Sequence, residues 1–221
     1  MADDANTRTT RGTLTKARME AFSDGVLAIA ITLLVLDLAA RPPGSPLEQF
    51  LRDWTAYLAY LVAFLTIGAA WIAHNSLSDD LEHVDRIFLR LNLLFLLSVS
   101  FLPFPTRLIG DALDKSASSQ RVAVTVFGVT VLATRLLLAA MTAYAERERL
   151  RRAGAPDLDL QDAQDKMRVA VAVYLGAIAL GLLLPFVAIV LYFAVAIFLV
   201  VPFRAVGQAI VRKPAASGSE R

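Results

Sequence analysis

Apolar residues run along this chain in long blocks, separated by short charged segments. Residues 54–73 carry no charged side chain, and neither do residues 169–203. Uncharged apolar runs of roughly 18 residues or more read as membrane-spanning helices. The pattern predicts such helices over residues 18–39, 54–75, 87–106 and 121–144. The run 169–203 is too long for one ordinary span, since as a helix it would reach about 52 Å against a hydrocarbon core of about 30 Å. Gly181 and Pro185 sit near its middle, which predicts a tight hairpin of spans five and six. Strand-like alternation in segments of about ten residues, which a membrane barrel needs, is absent. The predicted fold class is therefore an all-α integral membrane protein with six transmembrane helices per chain.

Composition sharpens the picture. Hydrophobic residues make up 57% of the 221 and charged ones 19%, whereas soluble domains run nearer about 45–50% and about 25%. The absence of cysteine excludes disulfides, thiolate metal sites and a cysteine nucleophile. Two histidines, His74 and His83, cannot build a histidine-rich metal centre, and no metal site or cofactor is expected. A net charge of +2 carries no nucleic-acid footprint. The first apolar segment contains Glu20 and Asp24, which argues against a cleavable signal.

The chain divides into a polar N-terminal tail over 1–17, expected to be disordered, a six-span domain over 18–210, and a polar C-terminal tail over 211–221. With six spans both termini share a side. Fifteen of the 22 lysines and arginines then fall on that side and five on the other, with Arg90 and Arg135 inside spans. The positive-inside rule places both termini in the cytoplasm. The loop 146–165 is the largest cytoplasmic piece and is far too small for a catalytic domain. No Ser/His/Asp set, HExxH, Walker motif or TVGYG filter loop occurs, so an enzyme is not expected.

The first span concentrates the polar chemistry. It contains Arg18, Glu20, Ser23 and Asp24 and ends at Asp37. Ionisable groups inside a membrane are costly and point to function or to buried pairing. At about 100° per residue, with Ile29 as zero, Arg18, Phe22, Gly25, Thr32, Leu33 and Leu36 fall within about 60° of it. Glu20 and Asp24 fall roughly opposite. Asp24 needs a partner in a low-dielectric interior, and His74, with Trp71 three residues before it, and Asn92 lie at a matching depth. A buried hydrogen-bond network clamping three helices is the simplest arrangement of these groups. One aspartate and one histidine are too few for a tetrahedral zinc site.

The string RMEAFSDGVLAIAITLLVLDL resembles the first helix of the transmembrane-protein-175 family, the family of the endolysosomal potassium channel, in its bacterial form. The resemblance rests on Arg18, Phe22, Ser23 and Asp24, on Trp71 and His74 of span two, and on NLLFLL and FLPFPT of span three, which includes Asn92. It covers most of residues 18–210. It implies a homotetramer in the bacterial inner membrane, with four copies of span one lining a central pore. It also implies a constriction at Ile29, with Thr32, Leu33 and Leu36 as further pore-facing positions, the same stripe that periodicity picks out. Arg18, Phe22, Ser23, Asp24, Trp71, His74 and Asn92 would form the structural motif network, with Asp24 pointing away from the pore.

The expected function is then a potassium-permeable cation channel with a hydrophobic constriction. Apolar rings obstruct ions by dewetting, and four Thr32 hydroxyls offer a transient site for a partly dehydrated potassium ion. The expected partners are further copies of the chain, membrane lipid and potassium ions. The competing reading is a proton-coupled transporter or proton-conducting pathway using Asp24 and His74.

Overall fold

In lipid a backbone must satisfy its own hydrogen bonds, so apolar blocks of this length close into helices. A computed structural model of the chain describes residues 2–39, 45–112, 115–155 and 160–200. Eight helices occur among them: α1 Ala2–Ala39, α2 Pro46–Arg52, α3 Trp54–Asp80, α4 Arg86–Phe101, α5 Pro103–Ala112, α6 Ala117–Arg147, α7 Leu160–Leu183 and α8 Pro185–Val200. Lys16–Leu36, Trp54–Asp80, Arg86–Ala112 and Ala117–Arg147 are long and apolar enough to cross a membrane, while Met167–Leu183 and Pro185–Val200 are apolar but shorter. The protein is all-helical and multi-pass.

The 169–203 run does break where its proline predicts. α7 ends at Leu183 and α8 starts at Pro185, a residue with no N–H to continue the ladder but well suited to a first helical position. The two helices lie side by side against α6. Gly128 of α6 sits so close to Ile178 and Tyr192 that a Cβ there would lie 2.7 Å from one and 2.1 Å from the other's hydroxyl. Gly181 likewise faces Val124 and Ala188. Residues at similar distances before and after the turn thus share neighbours, as a hairpin requires. The rings of Trp54 and Phe186 meet edge to face at 6.0 Å, joining the starts of α3 and α8.

Three features go beyond the expected spans. α1 begins at Ala2, inside the polar segment 1–17 expected to be disordered; residues 2–17 hold no proline. Span three lies within one apolar stretch, Arg86–Ala112, which is broken at Leu102 into α4 and α5. Pro103 and Pro105 cannot donate to the preceding turn, and Leu102 bonds back to Val99 instead, at 3.0 Å. The connection between α1 and α3 contains α2, which hydrophobic blocks alone did not predict. The 211–221 tail and residues 201–210 of the six-span domain lie outside the described residues, as do the side chain of Asp37 and the cations Arg204, Arg212, Lys213 and Arg221.

α1 packs on α3 and α4, with α5 and α6 behind them, and the α7–α8 hairpin lies against α6 and α3. Phe88, Phe95, Val99 and Leu102 of the α4 region fill the centre together with Ile67, Phe127 and Met141, all fully buried. This core fixes the one helix whose chemistry matters most, α1, along a single seam.

Candidate functional site

The seam is written in α1 at helical spacing. Met19, Ser23, Leu27, Ala30 and Leu34 recur every three or four residues and are all buried. About 120° around the same helix lies the stripe identified from periodicity. Ile29 is 60% exposed and Leu36 59%, and Phe22 and Leu33 are exposed as well. Arg18, Gly25 and Thr32 share this exposed face. The Thr32 hydroxyl donates to the Ile29 carbonyl at 2.9 Å. Among the described residues, nothing in the core covers these apolar side chains.

Behind the stripe, three helices are tied by a buried polar chain. The Asn92 amide of α4 donates to the Ser23 hydroxyl of α1 at 2.9 Å. The Asn92 carbonyl oxygen lies 2.8 Å from His74 Nε2 of α3; since an amide oxygen only accepts, Nε2 carries the proton and donates. The His74 ring stacks on Phe95 at 5.1 Å and 7°. Ser23, His74 and Asn92 are each at most 2% exposed. Groups so buried hold their hydrogen bonds because losing one partner strands the other, at a cost of about 1–3 kcal/mol.

Asp24 is not in this hydrogen-bonded chain but in a second link. Its Oδ1 accepts from the Trp71 indole N–H at 3.0 Å, and both residues are exposed. The reason is angular. Ser23 occupies the seam, so its neighbour Asp24 is carried about 100° further round, past the buried side. Trp71, three residues before His74, is offset in the same sense on α3 and meets it there. Two parallel links therefore join α1 to its neighbours, one dry and one exposed. Arg18 and Phe22, expected within the network, stand on the exposed stripe with Ile29 instead.

Sequence reasoning missed a further polar link, Ser98 of α4 to Thr134 of α6 at 3.0 Å. Small hydroxyl residues inside apolar helices were its only signal. Arg135, flagged as a mid-span cation, has its Nη2 buried with no hydrogen-bond partner. Among the described residues no group of three or more His, Cys, Asp or Glu side chains converges to hold a metal ion.

Comparison with known proteins adds an independent line. The family model for the endosomal/lysosomal potassium channel TMEM175 matches residues 18–103. A potassium channel of Streptomyces collinus is 40% identical over 127 residues, 56% of this chain and 61% of that protein. A potassium channel of Chamaesiphon minutus is 33% identical over 190 residues, covering 82% of this chain and 91% of that one. The human endosomal/lysosomal proton channel TMEM175 is 40% identical over 101 residues, which is 41% of this chain and 20% of that protein. Among solved structures, a lysosomal potassium-selective channel TMEM175 homolog from Chamaesiphon minutus superposes with a TM-score of 0.69 at 30% identity, over 84% of this chain and 96% of that one.

Proposed function

The chain belongs to the TMEM175 potassium channel family, and on that premise we propose that it is a potassium-permeable cation channel whose pore is lined by α1. Four copies assemble around a central axis, each crossing the bacterial inner membrane six times, with both termini in the cytoplasm. The described helices supply the spans: α1, α3, α4 with α5, α6, α7 and α8. The channel domain spans 18–210, and the lipid-facing leucines of the outer helices meet acyl chains.

One observation carries this reading. α1 is packed along one side only, and the face with Ile29, Leu33 and Leu36 is exposed although these side chains are large and apolar. One helix per chain cannot enclose a pore, so the face needs further copies. Four such faces meeting on an axis form an apolar throat near mid-membrane. Dehydrating a potassium ion there without ligands costs far more than thermal energy, so the throat is the resting barrier. Thr32, one turn along, offers four hydroxyl oxygens as a transient ion site. Selectivity over sodium is modest in this scheme, because four hydroxyls replace a hydration shell less completely than stacked carbonyl rings.

The test is potassium flux into liposomes carrying the purified protein, together with mass measurement of the assembly. Flux from a tetramer supports the reading; a monomer, or a tetramer without flux, sinks it. A second reading, a proton pathway through Asp24 and His74, gains from the human relative, a proton channel. Against it, His74 is bonded to Asn92 and Asp24 to Trp71, so the two groups belong to separate links. Proton flux that Asp24→Ala abolishes while assembly is preserved would favour this second reading.

A further inference from the structure

At the end of the bundle where α1 enters the apolar layer, two loops far apart in sequence are fastened together. α6 ends in a left-handed turn, with Arg149 at φ 53° and the Leu150 N–H bonded back to the Ala145 carbonyl at 2.9 Å. This turn sends the chain antiparallel to the segment after α3. Glu82 N–H donates to the Leu150 carbonyl and Arg152 N–H to the Asp80 carbonyl, both at 2.8 Å. Leu81 and Leu150 are buried beneath this bridge. The Arg151 guanidinium spans it, 2.9 Å from Asp80 and 2.9 Å from Glu146. Asp85 caps α4 through the Phe88 N–H at 2.7 Å and also accepts from the Tyr144 hydroxyl of α6.

This clasp does not stop at α3, α4 and α6. Lys16 of α1 reaches into it, and its ammonium donates to the Leu81 carbonyl at 2.7 Å. Glu20, one turn on, lies 3.6 Å from the same ammonium and steadies it. Leu81 is also the residue whose backbone pairs with Arg151. At Lys16, where it enters the apolar layer, α1 is therefore hooked onto a residue in the middle of this fastening. Lys16 stands thirteen residues before Ile29, about 20 Å along a stiff helix, so a tilt at the foot displaces the apolar face.

We propose that the clasp of residues 80–85 and 144–152, acting on α1 through Lys16, sets the tilt of α1 and so holds the Ile29 constriction in its resting width. The proposal rests on the channel reading above. A contact made in one arrangement and lost in the other biases the equilibrium between them by its own free energy. Losing the Lys16 hook, a charged hydrogen bond, should raise the opening equilibrium by about five- to tenfold or more.

The experiment uses the full chain in lipid. Because the protein has no cysteine, Ala17→Cys accepts a single spin label beside the hook, on an exposed position. Lys16→Met and Arg151→Met are each expected to raise label mobility and to raise open probability about five- to tenfold, with single-channel conductance unchanged. Their combination should do no more than the larger single change, since both release the same hook. Lys16→Arg should restore the wild-type behaviour, which separates the tether from loss of a positive charge near the mouth. If Arg151→Met fails to fold, Asp80→Asn removes the same ion pair more gently. Unchanged mobility and open probability in Lys16→Met overturn the proposal, as do fully additive effects. A wild type that carries no current overturns the channel reading and the gating role with it, whereas unchanged mobility in a conducting protein overturns the tether alone.

Discussion

The two sides of α1 are both largely apolar and behave oppositely. Leu27 and Ala30 are 1% exposed, while Ile29 between them is 60% exposed. In water such a difference would be marked by polarity, with charge on the outer face. In lipid it is not, because side chains facing acyl chains, a pore throat or another helix are all hydrophobic. The packed side carries one polar residue, Ser23, which is buried against Asn92. The Thr32 hydroxyl on the open side bonds within its own helix, so what marks the packed side is a polar residue partnered from another helix.

The sharpest way to break this contrast is one substitution made on both sides. Leu27→Asn should cost roughly 3–5 kcal/mol, combining a lost core side chain with a buried unpaired amide, and should abolish folded protein in detergent. Leu27 is thus no neutral reference for pore substitutions, and Ala28 or Val35, both exposed away from the stripe, serve better. Ile29→Asn should leave folding nearly intact and raise cation current on the order of tenfold by wetting the throat, with poorer discrimination among ions. An equal current increase from Val35→Asn in single-channel recording would show that a different face meets the axis. Thr32→Ala should lower potassium preference while conduction persists, read from reversal potentials.

The network supplies smaller effects. Asn92→Leu strands both Ser23 and His74 and should cost about 1–3 kcal/mol; adding Ser23→Ala should cost less than the sum of the two, measured by thermal unfolding. Asp24→Ala loses one exposed bond to Trp71 and should cost about 1 kcal/mol or less, visible as a modest fall in tetramer yield. The smallest effect is in acid. Burial pushes the Asp85 carboxyl up, but hydrogen bonds from Tyr144 and from the Phe88 and Ile87 N–H groups outweigh it and hold the group below its ordinary 3.8. Its contribution is complete above that value and is lost as pH falls through the depressed one. The stability gap between wild type and Asp85→Asn should therefore close only in acid, as pH falls through the depressed value.

Much of this was legible in the chain. The hairpin at Pro185 followed from length, and the Ile29 stripe followed from the helical period. The partner of Asn92 did not. Ser23 and Asp24 differ by one position, and which of them is buried depends on where α3 and α4 sit, information that no pattern on α1 contains. α2 left a fainter trace, Pro46 at its first position with Ser45 before it, whose hydroxyl accepts from Glu48 N–H at 3.4 Å. The clasp had no local signal, because its halves lie far apart in the chain, as Asp80 and Arg151 do, and meet largely through backbone atoms that any sequence supplies.

The tight fit of Gly128 against Tyr192 and Ile178 bears on how this family can drift. A methyl group at 128 would collide with a phenol on one helix and a butyl chain on another, so neither helix of the hairpin could accommodate the change alone. Lineages that place a side chain at 128 should carry smaller residues at 192 and 178 together, a three-way covariation readable from aligned relatives. The Tyr192 hydroxyl, buried without a partner, is the first atom such a lineage could discard.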